Sequence, residues 1–501
     1  MEAHRTRGDD FAQLLRAEWA QFRTASGCVI GMMIVVLVTM LPGQLIAAGS
    51  VCQGPNGEVC PAIPVGPDGE AVADKFFFVH QPLAGDGSVT IRLTSLTGLI
   101  TYPPPNHDQI VPGVVPWAKA GVIIKASTKQ GSAYAAMMLT GSQGVRMQYN
   151  FIEDIAGRPG SASAESPRWL RLTRSGGTLT GYESTDGTQW TRVGTADLAG
   201  LPATVQVGFF VTSPCDLTVS EGACRFANAT AIFDQVSLQG QAPDGAWSSD
   251  ELGVESGLPD HLYGRVEESS GTFTVTGSGD IAPLGAEGGW PIERALIGTL
   301  AGLIAVIVVA VLFVSAEHRP SLIHTTQLTR PRLDQVLVAK AIVIGTVTFV
   351  AGLATVIIAV QLGKQIQRNY ILPVTPLTEL RVTLGTAALL AVAAVFALAL
   401  GAIFRRRVAA MSAGIAIVVV PYMLAVANIL PLGASHWLLR LTPAAAFAIQ
   451  QSTPEYRQVI GLYLPLAGYY PLAPWAGFTV LCAYTALALS LAVFLLRRRD
   501  A

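Results

Sequence analysis

Six long apolar runs constrain this chain more than any other feature. They fall at roughly 27–49, 293–315, 338–362, 382–404, 408–431 and 474–496, and their interiors carry almost no ionisable residues. A helix needs about 20 apolar residues to cross a bilayer. Six such runs exceed what one soluble domain can cover with its own surface. The chain therefore reads as a multi-pass membrane protein, with the lipid bilayer as its first partner. The runs leave over one stretch of about 240 residues, between the first and the second.

Charge divides the chain in the same place. Residues 51–290 carry 24 acidic and 13 basic side chains, a net of -11, whereas residues 291–501 carry 6 and 16, a net of +10. The total of -1 hides this. The basic excess is spread over short loops between apolar runs, which is a topology signal and not a nucleic-acid patch. With the N-terminus inside, the inner segments hold Arg5, Arg7, Arg16 and Arg23, then Arg319, Arg330 and Arg332, then Arg405 to Arg407, then Arg497 to Arg499. The short outer loops hold fewer. Both termini are thus expected in the cytoplasm, and residues 50–290 outside a plasma membrane.

The first run is expected to be an uncleaved span. It is preceded by an amphipathic pattern, Phe11, Leu14, Leu15, Trp19 and Phe22, with a cap expected at Asp9 or Asp10. Such a pattern predicts a helix lying on the inner membrane surface. Four of the six cysteines, Cys52, Cys60, Cys215 and Cys224, fall in the outer segment. An oxidising compartment allows disulfides. The short separations favour Cys52–Cys60 and Cys215–Cys224, with other pairings open. A metal site is not expected, since no Cys-x-x-Cys pair occurs and no His lies near.

From about residue 72 the chain alternates apolar and polar residues between Gly, Asp, Pro and Ser turns. Val205, Val207, Phe209 and Val211 share one side of a strand, and Leu170 and Leu172 alternate with Trp169, Arg171 and Thr173. Asp186-Gly187 marks a hairpin. These short strands predict an all-β, two-sheet sandwich. WAKAGVIIK (117–125), GSAYAAMMLTGSQGVRMQYN (131–150), PRWLRLTRSGGTLTGYESTDGTQW (167–190), VQVGFFVTSP (205–214) and AIFDQVSLQG (231–240) resemble the concanavalin-A-like lectin/glucanase jelly roll over about 72–240. The resemblance implies a fold more than an activity. No pair of carboxylates sits at alternate positions on one strand: Glu183 and Asp186 flank a turn, and Glu153-Asp154 are adjacent. Glycoside hydrolysis needs two facing carboxylates, so no catalytic residue is expected. A glycan-binding face is placed at Arg146, Gln148, Trp169 and Arg171. The competing reading has Trp169 packed on Arg171 as surface cover, with Trp117 and Trp190 in the core. Residues 241–290 are Gly- and Ser-rich and acidic, with a strand expected at Gly271–Thr276. Gly277-x-Gly279-x-x-Ala282 reads as a turn and not a dinucleotide site, because Pro283 follows and no helix does.

The membrane part holds no Gly-x-x-x-x-Gly-Lys-[Ser/Thr]; Gly363-Lys364 is followed by Gln365. The chain thus needs no cofactor of its own, and energy must enter from elsewhere. The segment AEHRPSLIHTTQLTRPRLDQVLVAK (316–340) resembles the ABC-2-type permeases of ATP-binding-cassette exporters, as do LLRAEW (14–19) and LLRLTPAAAFAIQQ (438–451). The resemblance covers about 1–49 and 293–501 and implies a six-span helical bundle. Matching positions are Glu317, Arg319, Thr325, Thr326, Pro331, Arg332 and Lys340. With Arg330, the polar members of this set are expected to couple the bundle to a cytosolic ATPase subunit that binds ATP. A homodimer or hetero-pair of permeases is implied as well. The outer insertion departs from the simplest members. The alternative is a membrane-anchored carbohydrate-binding or sensing protein, which leaves five further spans and the patterned inner segment without a role.

Overall fold

The computed structural model describes the chain apart from residues 1–6, 53–59, 103–108, 219–222, 242–245, 254–259, 316–332, 405, 428 and 501. It separates into two compact units. One comprises Met1–Ala62, Trp290–Pro454 and Tyr463–Ala501; the other comprises Ile63–Gly289 and Glu455–Leu462.

The first unit is helical. Its helices are α1 (Arg7–Thr24), α2 (Ser26–Gly49), α3 (Thr299–Ser315), α4 (Leu333–Ile366), α5 (Pro376–Ile403), α6 (Arg407–Val426), α7 (Leu432–Leu441) and α8 (Pro474–Asp500). Among the described residues, six helices are long and apolar enough to cross a membrane: α2, α3 with the turn before it, α4, α5, α6 and α8. The spans of α3 and α5 are 61% and 67% buried inside the unit, against 22% for α2 and α8, so α3 and α5 form its centre. Their sequences explain this. Gly385, Thr386, Ala387, Ala393, Ala394 and Ala397 line α5, and lipid gives no hydrophobic drive between helices, so small residues that permit close packing decide which helix is central. At Gly43 of α2 a Cβ would lie 2.1 Å from the Ala295 carbonyl oxygen, a contact only glycine allows. The 3-10 segment Pro443–Gln450 is buried along its whole length.

Helix α1 already includes Arg7, so Asp9 and Asp10 fall inside it and neither caps it. Its buried line runs through Glu18 and Phe22, with Leu14 and Leu15 half-covered, while Trp19 is exposed on the other side.

The second unit is β. Among its described residues, fifteen strands join one antiparallel sheet that curls nearly into a barrel. Its main path runs Thr191–Asp197, Thr178–Ser184, Arg168–Ser175, Phe76–Thr101, Thr204–Thr212, Lys119–Lys125, Tyr134–Thr140, Val145–Tyr149 and Glu153–Ala156. The strands expected to form a two-sheet sandwich are hydrogen-bonded here as one continuous sheet, because the 26-residue strand Phe76–Thr101 runs through both halves. Its first half pairs with Thr204–Thr212 and Ser248–Leu252, and its second half with Arg168–Ser175 and Ala223–Gln241. It turns between the two at Gly85, whose φ of +67° suits glycine. The sheet also continues past residue 240, through Ser248–Leu252 and Thr272–Gly277.

The inner face forms one core. Val205, Val207, Phe209 and Val211 meet Leu170, Leu172, Met137 and Met147 there, and Phe209 packs within 5.0–5.2 Å of the rings of Phe233, Trp247 and Phe273. Two strands are buried on both faces, Lys119–Lys125 and Tyr134–Thr140, which accounts for their near-continuous apolar runs. Their outer side is roofed by a two-stranded ribbon of Val72–Asp74 and Ile281–Pro283 over Phe76, Phe78, Ile123, Tyr134 and Phe210. Gly277 ends a strand, and Ile281 opens the roof strand, so the glycine-spaced segment is a turn with no helix after it. Both disulfides, Cys52–Cys60 and Cys215–Cys224, are formed, the first in the helical unit and the second in the β unit.

Candidate functional site

Among its described residues the helical unit presents one buried ion pair. Lys340 lies two turns into α4 and is 1% exposed; a buried ammonium needs a carboxylate. Lys340 Nζ donates to Glu18 Oε2 at 2.6 Å and to Gln21 Oε1 at 3.3 Å, and lies 4.6 Å from the centre of the Phe313 ring. Phe22 meets the same Phe313 ring edge-on at 5.3 Å. The amphipathic pattern of α1 thus seats it against α3 and α4 with a charge at its centre. The expected coupling residues Glu317, Arg319, Thr325, Thr326, Arg330 and Arg332 lie outside the described residues. Only Lys340 of that set is placed.

A second polar cluster holds the buried 3-10 segment. Ser452 donates its hydroxyl and, at 3.2 Å, its N–H to the Glu293 carboxylate. Arg381 Nη2 donates to the Gln451 carbonyl at 2.5 Å, and Gln450 Nε2 reaches Thr299 Oγ1 and Thr386 Oγ1 at 3.1 and 3.2 Å. Glu293 stands at the edge of an otherwise apolar run, and that isolated acid was the available signal for this cluster.

In the β unit the four residues of the expected ligand face divide into two pairs. Arg146 Nε donates to Asp154 Oδ1 at 3.0 Å, Nη2 donates to Asp154 Oδ2, and buried Gln148 joins the same Oδ1 at 3.0 Å. Trp169 and Arg171 lie on strand Arg168–Ser175. Met137 and Met147 project inward and reach Gly181 on the strand beside it, so the two pairs point outward on opposite sides of the core. They form no single face. The cover reading also changes: Arg171 lies 3.9 Å from the centre of the Trp190 ring, not on Trp169. Trp169 instead lies against Gly187 and 5.8 Å from the Arg92 guanidinium. Trp117 is buried, while Trp190 is half-exposed.

Glu183 and Asp186 lie in different surroundings. Glu183 faces inward, 4% exposed, and accepts from the Arg158 N–H at 2.9 Å. Asp186 accepts from the Thr188 and Gln189 N–H groups and the Ser184 hydroxyl, which hold its carboxyl below the usual aspartate range. Burial raises the Glu183 carboxyl above its ordinary 4.5, opposed by the Arg158 N–H and the nearby arginines. A carboxyl whose folded value is raised binds its proton more tightly in the native state. Its contribution to stability is complete below pH 4.5 and is lost as pH rises through the folded value. Glu183→Gln keeps the bond from Arg158 and removes the charge. Its melting temperature is expected to match the wild type in acid and exceed it near neutrality. Parallel pH dependences for the two proteins would refute this account.

Two further ion pairs escaped sequence reasoning. Lys125 Nζ donates to Asp74 Oδ2 at 2.6 Å, and Lys119 Nζ to Asp280 Oδ1 at 2.5 Å. They join the two ends of one buried strand to the roof ribbon and the turn leading into it. Among the described residues no group of three or more His, Cys, Asp or Glu is placed to hold a metal.

No family model and no curated protein matches the chain. Among solved structures, it is similar over part of its length to a functionally unknown protein from Saccharomyces cerevisiae, at 15% identity and a TM-score of 0.21, covering 37% of this chain and 83% of that one. A scytalido-glutamic peptidase with a transition state analog inhibitor gives 9% identity and a TM-score of 0.26, covering 42% and 100%. The GH43 protein BlXynB from Bacillus licheniformis, in mutant form, gives 15% and 0.20, covering 31% and 28%. At such scores the likenesses carry no argument about fold or activity.

Proposed function

We propose that this chain is the membrane-spanning permease subunit of an ABC-2-type exporter, energised by a separate cytosolic ATPase, with an outer β unit that binds glycan. The observation that carries the reading is the Glu18–Lys340 pair. Two of the sequence segments that resemble the permease family, 14–19 and 316–340, are far apart in the chain, and this pair joins them. Helix α1 is seated at the start of α4, the helix that follows in sequence the segment expected to receive the ATPase, so α4 is the expected route for motion of the partner into the bundle. The Lys/Arg bias puts that end of the bundle in the cytoplasm and residues 50–290 outside. Two disulfides accord with an oxidising side. The lectin-type reading of the β unit rests on the strand segments of 117–240 that resemble the lectin/glucanase sandwich.

The test is co-purification from native membranes. An ATPase should accompany the wild-type chain and be lost when residues 316–332 are replaced by a neutral linker that leaves Lys340 in place. Stimulated ATP hydrolysis should fall with it. Retention of the ATPase would move the docking surface to the exposed side of α1, at Arg16 and Trp19. Absence of any ATPase from the wild-type preparation would defeat the transporter reading.

A further inference from the structure

The outward side of the sheet behind Trp190 carries two arginines, Arg171 and Arg192, that form no ion pair among the described residues. Register places Thr90, Arg171, Tyr182 and Arg192 in one row across four neighbouring strands. Arg171 Nε donates to Thr90 Oγ1 at 3.0 Å, and its guanidinium lies over the Trp190 ring at 3.9 Å. One donor is thus spent on holding the plane still. Among the described residues, neither Arg171 nor Arg192 has an acidic partner, although residues 51–290 carry a net of -11. The nearest row does contain an acid, Asp234, but it is joined to Arg92 by two bonds of 2.6 and 2.5 Å. Asp186 is occupied within its own turn.

We propose that this row is a binding site for an acidic polysaccharide. This rests on the reading of the β unit as glycan-binding and gives that reading a place and a charge. Two strand spacings separate Arg171 from Arg192, about 10 Å, with the Tyr182 ring between them. A planar guanidinium held on an aromatic ring presents its remaining N–H groups as a fixed fork, the geometry that carboxylates accept in bidentate form. Tyr182 and the free edge of Trp190 offer apolar surface for the faces of sugar rings. The anchor is therefore Arg171 with Trp190, and not Trp169, whose ring is covered by Gly187.

The experiment uses the full-length protein in lipid nanodiscs, with polygalacturonate as the acidic probe and dextran as the neutral one. Polygalacturonate should bind, dextran should not, and added salt should weaken the binding. Arg171→Gln and Arg192→Gln should each weaken it about 10- to 100-fold, the range for a lost hydrogen bond to a charged group. Arg171→Lys should not restore it, because an ammonium lacks the fork. Lys129→Gln, which removes an exposed charge elsewhere on the unit, should leave binding unchanged. Unaltered melting of each variant confirms that the fold is kept. Three results would overturn the proposal: no binding of polygalacturonate, equal binding of dextran, or Gln variants no weaker than Lys129→Gln. The assay contains no ATPase, so none of these results touches the transporter reading, which stands or falls on the co-purification.

Discussion

Lys340→Met should release α1 from the bundle. The pair it breaks is almost wholly buried, Lys340 at 1% and Glu18 at 5% exposure. Removing one partner takes from a buried charge its counter-ion at 2.6 Å, which costs about 3–5 kcal/mol. Trypsin access reads the effect directly, since Arg16 and Arg23 are exposed on α1 and become cleavable sites on a freed, unfolding helix. Faster cleavage at both is expected, with a lower melting temperature in detergent. The double variant Glu18→Leu with Lys340→Met should recover most of the stability, because replacing a whole buried pair by apolar groups is often neutral or better. If ATPase association follows α1, the single variant should lose it and the double variant should regain part of it. A single variant as resistant to trypsin as the wild type would show that Phe22 and its neighbours hold α1 without the charge.

The second large effect is expected at Asp74. Its Oδ2 accepts from Lys125 Nζ at 2.6 Å and from the Gly131 N–H at 2.8 Å. Asp74→Asn keeps the shape but leaves the Lys125 ammonium facing Tyr134 and Phe151 without its carboxylate. The cost is again about 3–5 kcal/mol, which for a unit of this size lowers its melting temperature by roughly 10 °C. Burial already pushes the Lys125 ammonium below the usual lysine range, with Asp74 opposing. A depressed lysine binds its proton less well when folded, so stability rises with pH until the unfolded lysine also deprotonates. The Asn variant should therefore be weakest at neutral pH and approach the wild type in alkali. Melting of the β-sheet signal in the full-length protein at two pH values tests both points. A deficit that does not change with pH would show that the stranded charge does not carry the effect.

The spans were legible because their signal is local. A run such as 293–315 reports its own burial through length and apolarity, whatever packs on it. Strand alternation in 205–211 is equally local, since every second side chain must face the core. The ligand face was not legible. Arg146 and Trp169 both alternate outward, and alternation gives a side of the strand without saying where the sheet curls. The bend at Gly85 inside a single 26-residue strand decides that, and it sends the two residues to opposite sides.

The charges show the same division. By itself the sequence determined that six runs belong in a membrane, that an acidic β segment lies between the first two, and that four cysteines sit within that segment. Each of these follows from composition within a window, because desolvation acts on each side chain where it stands. Only the tertiary structure decided which charges belong together: Glu18 with Lys340, Asp74 with Lys125, Asp280 with Lys119, and, among the described residues, neither Arg171 nor Arg192 with an acid. Lys119 and Lys125 frame an apolar strand and look from the sequence like solvent markers at its ends. They are buried because the roof ribbon, some 50 to 160 residues away in the chain, brings a carboxylate to each. A buried lysine is favourable only when its partner arrives, and the partner's arrival depends on the whole fold.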